Sequence, residues 1–267
     1  MSAPRIHPTA VIHPDAKLAD DVTVGPFVVV DAGVTLGPGC TVGPHAYLTG
    51  ILTAGANNHF HASCVIGDTP QHLGYAGEPT RVEIGDGNTF REFVTVHRGM
   101  PANGGVTSIG NGNLFMVNSH IAHDCKVGNK AIFANGAVIG GHASVADGVF
   151  LSGNTCVHQF CRVGRLAMLS GTSSISQDLP PFWIVQEINI VHGVNVIGMR
   201  RAGIPNEEIM GVRRAFKAII RSGQTIRAAL EQVEVADGHL PAVNELIEFV
   251  RSSTRGICTG SGGGDDA

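Results

Sequence analysis

The densest polar run in the chain is Asn118-Ser119-His120-Ile121-Ala122-His123-Asp124. Histidine changes charge near neutral pH and is well suited to taking a proton from a substrate hydroxyl. Eighteen residues beyond His123 stands Gly141, and eighteen beyond that stands Gln159. His142 and His158 border those positions, and His97 precedes them. A glycine leaves its backbone N–H open to close approach, where it can receive a developing oxyanion. A base, an oxyanion donor and no need for a covalent nucleophile fit acyl transfer. The opposing reading of any single histidine is a solvated turn residue, and His7, His13, His45 and His61 suit it.

The spacing of eighteen matters because the chain repeats every six residues. From Ile6 to Leu48 every first position is Ile, Leu or Val, and every fifth, from Ala10 to Leu52, is small or aliphatic. A second block keeps one frame from Ile109 through Phe115, Ile121 and onward to Ile175. A period of six fits neither a helix nor a long strand. It fits a short strand and a turn, with three units closing one coil of a parallel β-helix. Position one points inward and Gly, Asn and Asp fill the turns. Cys40, Cys64, Cys125 and Cys161 occupy fifth positions and read as small core side chains.

The frame breaks twice, at about 68–81 and 98–107, and both stretches read as loops leaving the coil. Ile66, Val96, Ile121, Ile139 and Val157 are three units apart, so they stack on one edge, and both loops leave from the edge that carries His123. The β-helix is expected over 1–184, a helical region over 185–257 and a disordered tail over 258–267. Helices are expected near His192–Arg201, from an Asn206 cap to Ser222, after Thr225, and near Ala242–Ser252.

Of 267 residues 36 are Gly, only 15% are charged and 43% are hydrophobic, so the chain can bury a core. A net charge of −4 and a mean hydropathy of +0.16 exclude a disordered protein. No apolar run is long enough to span a bilayer, and the opening residues carry no targeting pattern. Reduced thiols in the cytoplasm are therefore expected. Between Gly198 and Arg227, seven Lys or Arg face Glu207 and Glu208, a local excess of +5 that suits an acidic protein partner. The absence of aromatic-basic interleaving argues against nucleic acid.

GYAGEPTRVEIGD (74–86), VTVHRG (94–99), HIAHDC (120–125), HQFC (158–161), QDLPPF (177–182) and SSTRGI (252–257) resemble the UDP-N-acetylglucosamine O-acyltransferases, the first enzymes of lipid A biosynthesis. The hexapeptide period alone is shared by many acyltransferases. The resemblance implies a left-handed parallel β-helix followed by a small helical domain, and a homotrimer with sites between adjacent β-helices. It implies transfer of an R-3-hydroxyacyl group from acyl carrier protein to the sugar 3-position, with no cofactor and no metal. His123 is then the general base, Asp124 its orienting carboxylate and Gly141 N–H the oxyanion donor. Gln71, His72, His97, His120, His142, His158 and Gln159 would line the acceptor and acyl site. Asn195 and Arg201 would hold the acyl-pantetheine or nucleotide end, and Gly171 would set chain length, its lack of a side chain favouring a long chain.

Two departures bear on the acceptor. The family pattern Gln-Asp-Leu-Lys-Tyr reads Gln71-His72-Leu73-Gly74-Tyr75 here, and Ile197 replaces a usual glutamate. A 3-amino analogue of the UDP-sugar is therefore an alternative acceptor. A zinc-dependent trimeric β-helix hydratase of the γ-carbonic anhydrase type, using His120 and His123, and a non-catalytic solenoid are the alternatives from other classes.

Overall fold

The computed structural model describes residues 5–259. The six-residue units form strands of two to four residues, stacked in register as three parallel sheets. The first sheet has eleven strands, from Arg5–Ile6 to Ile190–Val194; the second has nine, from Val11–Ile12 to Ser174–Ile175; the third has eight, from Lys17–Leu18 to Arg162–Val163. Within the coil each strand pairs in parallel with the strand three units on, the arrangement of a left-handed parallel β-helix, and among the described residues only the closing strand Ile190–Val194 runs antiparallel.

The core lies inside the prism. Val24, Val30, Leu48, Ile121, Ile139 and Val157 are buried first-position residues, and the fifth-position cysteines are buried beside them. Phe60, Phe90, Phe115 and Phe133 stack at centroid spacings of 5.0, 4.9 and 5.0 Å. Burying each such ring contributes about 1.5–3 kcal/mol. All six cysteines are free. The corners are made by single residues in the left-handed region, among them Asp124 (φ 59°), His142 (φ 63°) and Phe160 (φ 65°) on one corner. Asn and Asp tolerate this conformation best, so the bulkier His142 and Phe160 hold it at some cost.

The loops span 69–80 and 98–105, because Asp68, Arg81, Val106 and Thr107 belong to strands. Beyond the coil, α1 covers Val196–Arg201, α2 Asn206–Arg221, α3 Ile226–Asp237 and α4 Pro241–Arg251. Three expectations need correction here. Residues 190–194 are not helical; they form a strand antiparallel to Trp183–Gln186, and Asn195 starts α1 only after them, accepting from Gly198 N–H. Pro205 stands at the cap of α2, and Asn206 is already its first turn. The tail does not begin at 258: Cys258 is buried and donates its N–H to Asp178, and Thr259 bridges to Ile190. Residues 260–267 lie outside the described residues. Among the described residues no helix is long and apolar enough to cross a membrane.

Candidate active site

The second sheet sets the site. Its register pairs Ile66 with Val96, Val96 with Ile121, Ile121 with Ile139 and Ile139 with Val157. The residues just beyond these strands therefore pile onto one corner, where both loops also leave. The result is a cavity of about 420 Å³ lined by Gln71, His72, His97, His120, His123, Gly141, His158 and Gln159, with Val138 and Cys156 on its floor.

His123 is buried, and its Nδ1 lies 2.8 Å from Asp124 Oδ2. A carboxylate can only accept, so Nδ1 carries the proton and Nε2 is free to take another. Asp124 is fixed from two sides. Its own N–H donates to Thr107 Oγ1 at 2.9 Å, and Met100 N–H donates to both carboxylate oxygens at 3.1 and 3.0 Å. Gly141 lies against the ring: a Cβ there would sit 2.7 Å from His123 Nε2 and 2.6 Å from Cε1. Among the described residues nothing accepts from Gly141 N–H.

Burial favours the neutral form of His97, His120 and His142. Burial holds the pKa of His97 below the ordinary imidazole value and that of His120 down to about 4. His120 Nδ1 shares a hydrogen with Thr95 Oγ1 at 2.7 Å, and its ring meets His97 edge-on at 5.2 Å. His97 Nδ1 is buried with no hydrogen-bond partner among the described residues, an exception to the rule that buried polar atoms are paired. His142 stacks flat on Phe160 at 4.4 Å and meets His123 edge-on at 5.1 Å, so it backs the base rather than lining the cavity. Burial lowers its pKa too. His72 reaches His123 edge-on at 5.5 Å, while its Nδ1 accepts from Gly74 N–H at 3.0 Å.

Arg98 is a residue that the sequence motifs contained without a role. Its Nε donates to Tyr75 Oη at 3.0 Å and its Nη1 to Gly67 O at 2.8 Å. It thereby ties down the loop that delivers Gln71 and His72. Its place directly after His97 was the only signal. The Met100 N–H contact left none, because backbone donors have no side-chain signature.

Asn195, Arg201 and Gly171 do not join this cavity within one chain. Asn195 and Arg201 line a separate apolar groove of about 780 Å³ on the first sheet, with Phe150, Met168, Ile184 and Ile197. The amide of Asn195 is occupied, donating to Leu166 O at 2.8 Å and capping α1. Gly171 stands in a turn where a Cβ would meet only Gly153 O at 3.8 Å. The basic region is smaller than its seven charges suggested: Arg214 is paired with Asp237 and Arg227 with Glu231. Arg213, Lys217 and Arg221 remain on one face of α2 and line a groove of about 240 Å³ with Phe216. For a metal, the compact donor set is His123, Asp124 and His142, with ligating atoms within 4.8 Å; His120 is not part of it.

Three stacked sheets of six-residue units place the chain among the hexapeptide-repeat transferases. A model of bacterial transferase hexapeptide repeats matches residues 15–50 and 107–141, and a model of UDP-N-acetylglucosamine O-acyltransferase domain 2 matches 178–258. The UDP-N-acetylglucosamine acyltransferase of Campylobacter jejuni superposes with a TM-score of 0.91 at 31% identity, covering 96% of this chain and 100% of that one. LpxA of Acinetobacter baumannii gives 0.90 at 38%, covering 94% and 98%, and LpxA of Bacteroides fragilis gives 0.91 at 38%, covering 94% and 99%. The chain belongs to the UDP-N-acetylglucosamine O-acyltransferase family, and it is an acyltransferase.

Proposed function

We propose that the chain transfers an R-3-hydroxyacyl group from acyl carrier protein to the 3-hydroxyl of UDP-N-acetylglucosamine, in the cytoplasm, as the first step of lipid A synthesis. The observation that carries this reading is the pairing of His123 Nδ1 with Asp124 while Nε2 lies beside Gly141, whose N–H is unclaimed among the described residues. Nε2 takes the proton from the sugar O3, which attacks the thioester carbonyl. The carbonyl oxygen becomes an oxyanion held by Gly141 N–H. Asp124 stabilises the imidazolium. Collapse breaks the C–S bond, and the departing thiolate recovers the proton from Nε2. His97, with its orphan Nδ1, His120, His158 and Gln159 supply contacts to the acceptor and acyl carbonyl region, and Gln71 and His72 close over it.

The outer faces support a homotrimer. Outward positions of the third sheet are mostly polar, with Lys17, Thr35, Thr53, Glu83, Ser108, Lys126, Ser144 and Arg162 set against the apolar Ile51 and Val106. Those of the second carry Val11, Val29, Tyr47, Val65 and Val138, and those of the first end in Leu114, Ile132, Phe150, Met168 and Ile184. Two different apolar faces favour a head-to-tail contact, which closes as a ring. Such a contact sets the Asn195–Arg201 groove of one copy opposite the histidine cavity of the next. Gly171 leaves room for a long chain, and Arg213, Lys217 and Arg221 suit the acidic carrier protein.

A second reading, transfer to the 3-amino sugar, is favoured by one observation. Because His72 Nδ1 accepts from Gly74 N–H, neutral His72 presents an N–H where the family pattern has a carboxylate. The test is mass spectrometry of product from equal pools of the two UDP-sugars with carrier proteins bearing graded 3-hydroxyacyl chains. A long-chain ester supports the first reading; an amide transfers it to the second; no acylated sugar overturns both. Mixing inactive His123→Ala and Arg201→Ala chains should restore activity in hybrid oligomers, and a fully active monomer would overturn the shared site.

A further inference from the structure

His142 is the one member of the cluster whose chemistry the transfer reaction leaves unused. Its ring is locked by the flat stack on Phe160 and by its place at a left-handed corner. Its Nε2 lies 3.7 Å from Asp124 Oδ2, too far for a hydrogen bond. Among the described residues no other group pairs with it. Asp124 Oδ2 is in turn 2.8 Å from His123 Nδ1, and all three ligating atoms fall within 4.8 Å.

These separations match an ion better than they match each other. Zinc bonds imidazole nitrogen and carboxylate oxygen at about 2.0–2.1 Å in tetrahedral geometry, which spaces neighbouring ligand atoms by about 3.3 Å. The separations of 2.8 and 3.7 Å to Asp124 Oδ2 straddle that spacing and the third falls within 4.8 Å, so turning the two imidazole rings toward Asp124 gathers the set. Asp124 is oriented by Met100 N–H, and His142 lies beside it, stacked on Phe160. Imidazole and carboxylate donors suit zinc-class ions rather than magnesium or calcium.

We propose that His123, Asp124 and His142 form a binding site for a zinc-class transition-metal ion, and that occupation switches the dyad off. The ion bonds Asp124 Oδ2, His142 Nε2 and His123 Nδ1, with water in the fourth position. The proton on His123 Nδ1 moves to Nε2, so the imidazole stays neutral and no proton is lost. Nε2 then carries a hydrogen and has no lone pair with which to take one from an acceptor. Zinc is thus an inhibitor of the enzyme and no part of its reaction. The inhibitory consequence, though not the site, rests on His123 being the general base.

The test uses the full chain, stripped with chelator and titrated with Co²⁺, whose visible absorption reports tetrahedral N/O ligation. One Co²⁺ per chain is expected, displaced by Zn²⁺. His142→Asn keeps a residue that tolerates the left-handed corner, so the fold should persist; it should weaken binding by about 10- to 100-fold. His158→Ala removes a cavity histidine outside the set and should leave the cobalt spectrum unchanged. Zn²⁺ should inhibit transfer with the same midpoint as it displaces cobalt. No tetrahedral band, or a band indifferent to His142→Asn, overturns the site. A site that binds as described while transfer proceeds undiminished upholds the site and overturns His123 as the base.

Discussion

Two corners of the same prism carry the same device. Phe27 and His45, eighteen residues apart and both left-handed, stack at 5.1 Å; Phe160 and His142, also eighteen apart and left-handed, stack at 4.4 Å. His45 is exposed. His142 packs against His123 and lies near Asp124, beneath the two loops. Other N-terminal histidines make ordinary surface contacts: His7 pairs with Thr9, His13 accepts from Asp15 N–H, His59 pairs with Thr41 one coil away and His61 lies 3.8 Å from Glu92. The repeat by itself therefore makes ordered but ordinary histidines. The loops at 69–80 and 98–105 make the difference, by leaving from the corner where His97 and His123 are buried and His120 is partly buried and by sending Met100 N–H to orient Asp124. Electrostatic interactions strengthen once water is excluded.

That contrast can be broken most directly at the base. His123→Ala should lower the transfer rate by about 10²- to 10⁴-fold with the oligomer intact; a near-normal kcat removes His123 from its role. The desolvation half of the comparison is read from stability. His120 is neutral in the folded protein down to about pH 4, whereas an unfolded imidazole takes its proton near 6.5. Above 6.5 both states are neutral and nothing is gained or lost. As pH falls from 6.5 towards 4 the unfolded chain binds the proton first, so stability declines, by up to about 3 kcal/mol. His120→Gln should flatten that part of a urea-midpoint profile, and an unaltered profile means that His120 is not the desolvated group.

Arg98→Ala tests the loop itself. Freeing the loop that holds Gln71 and His72 should raise KM for the sugar nucleotide by about tenfold while kcat changes less; a lost kcat at constant KM would place Arg98 in the chemistry instead. The smallest effect belongs to the other corner. His45→Ala should alter stability by no more than about 0.5 kcal/mol and leave transfer unchanged, and a measurable loss of activity would dissolve the distinction between the corners.

Much of this was legible because the period is strict. A repeat of six makes residues eighteen apart neighbours, so the ledge of His123, Gly141 and Gln159 and the exit of both loops could be counted off the sequence. Counting could not tell that His142 backs the base while His97 and His120 line the cavity, since that depends on ring orientation. It also overstated the basic patch: the partners of Arg214 and Arg227, Asp237 and Glu231, lie on α3, and only helix packing brings the first pair together. The helix expected from His192 begins only at Val196, because His192–Val194 finish a hairpin with Trp183–Gln186, and a short apolar run with one glycine fits either period.

The sequence by itself determined the coil, its core and the vertical alignment of the site, because each is a consequence of local strand-and-turn units repeated in phase. Tertiary structure alone decided the clamp of Arg98 on the first loop, the grip of Met100 N–H on Asp124, and the separation of the Asn195–Arg201 groove from the histidine cavity. These depend on where irregular segments settle and on which faces of the prism lie apart. Loop backbone carries no period, and a contact between a loop amide and a carboxylate twenty-four residues away leaves no mark in residue type.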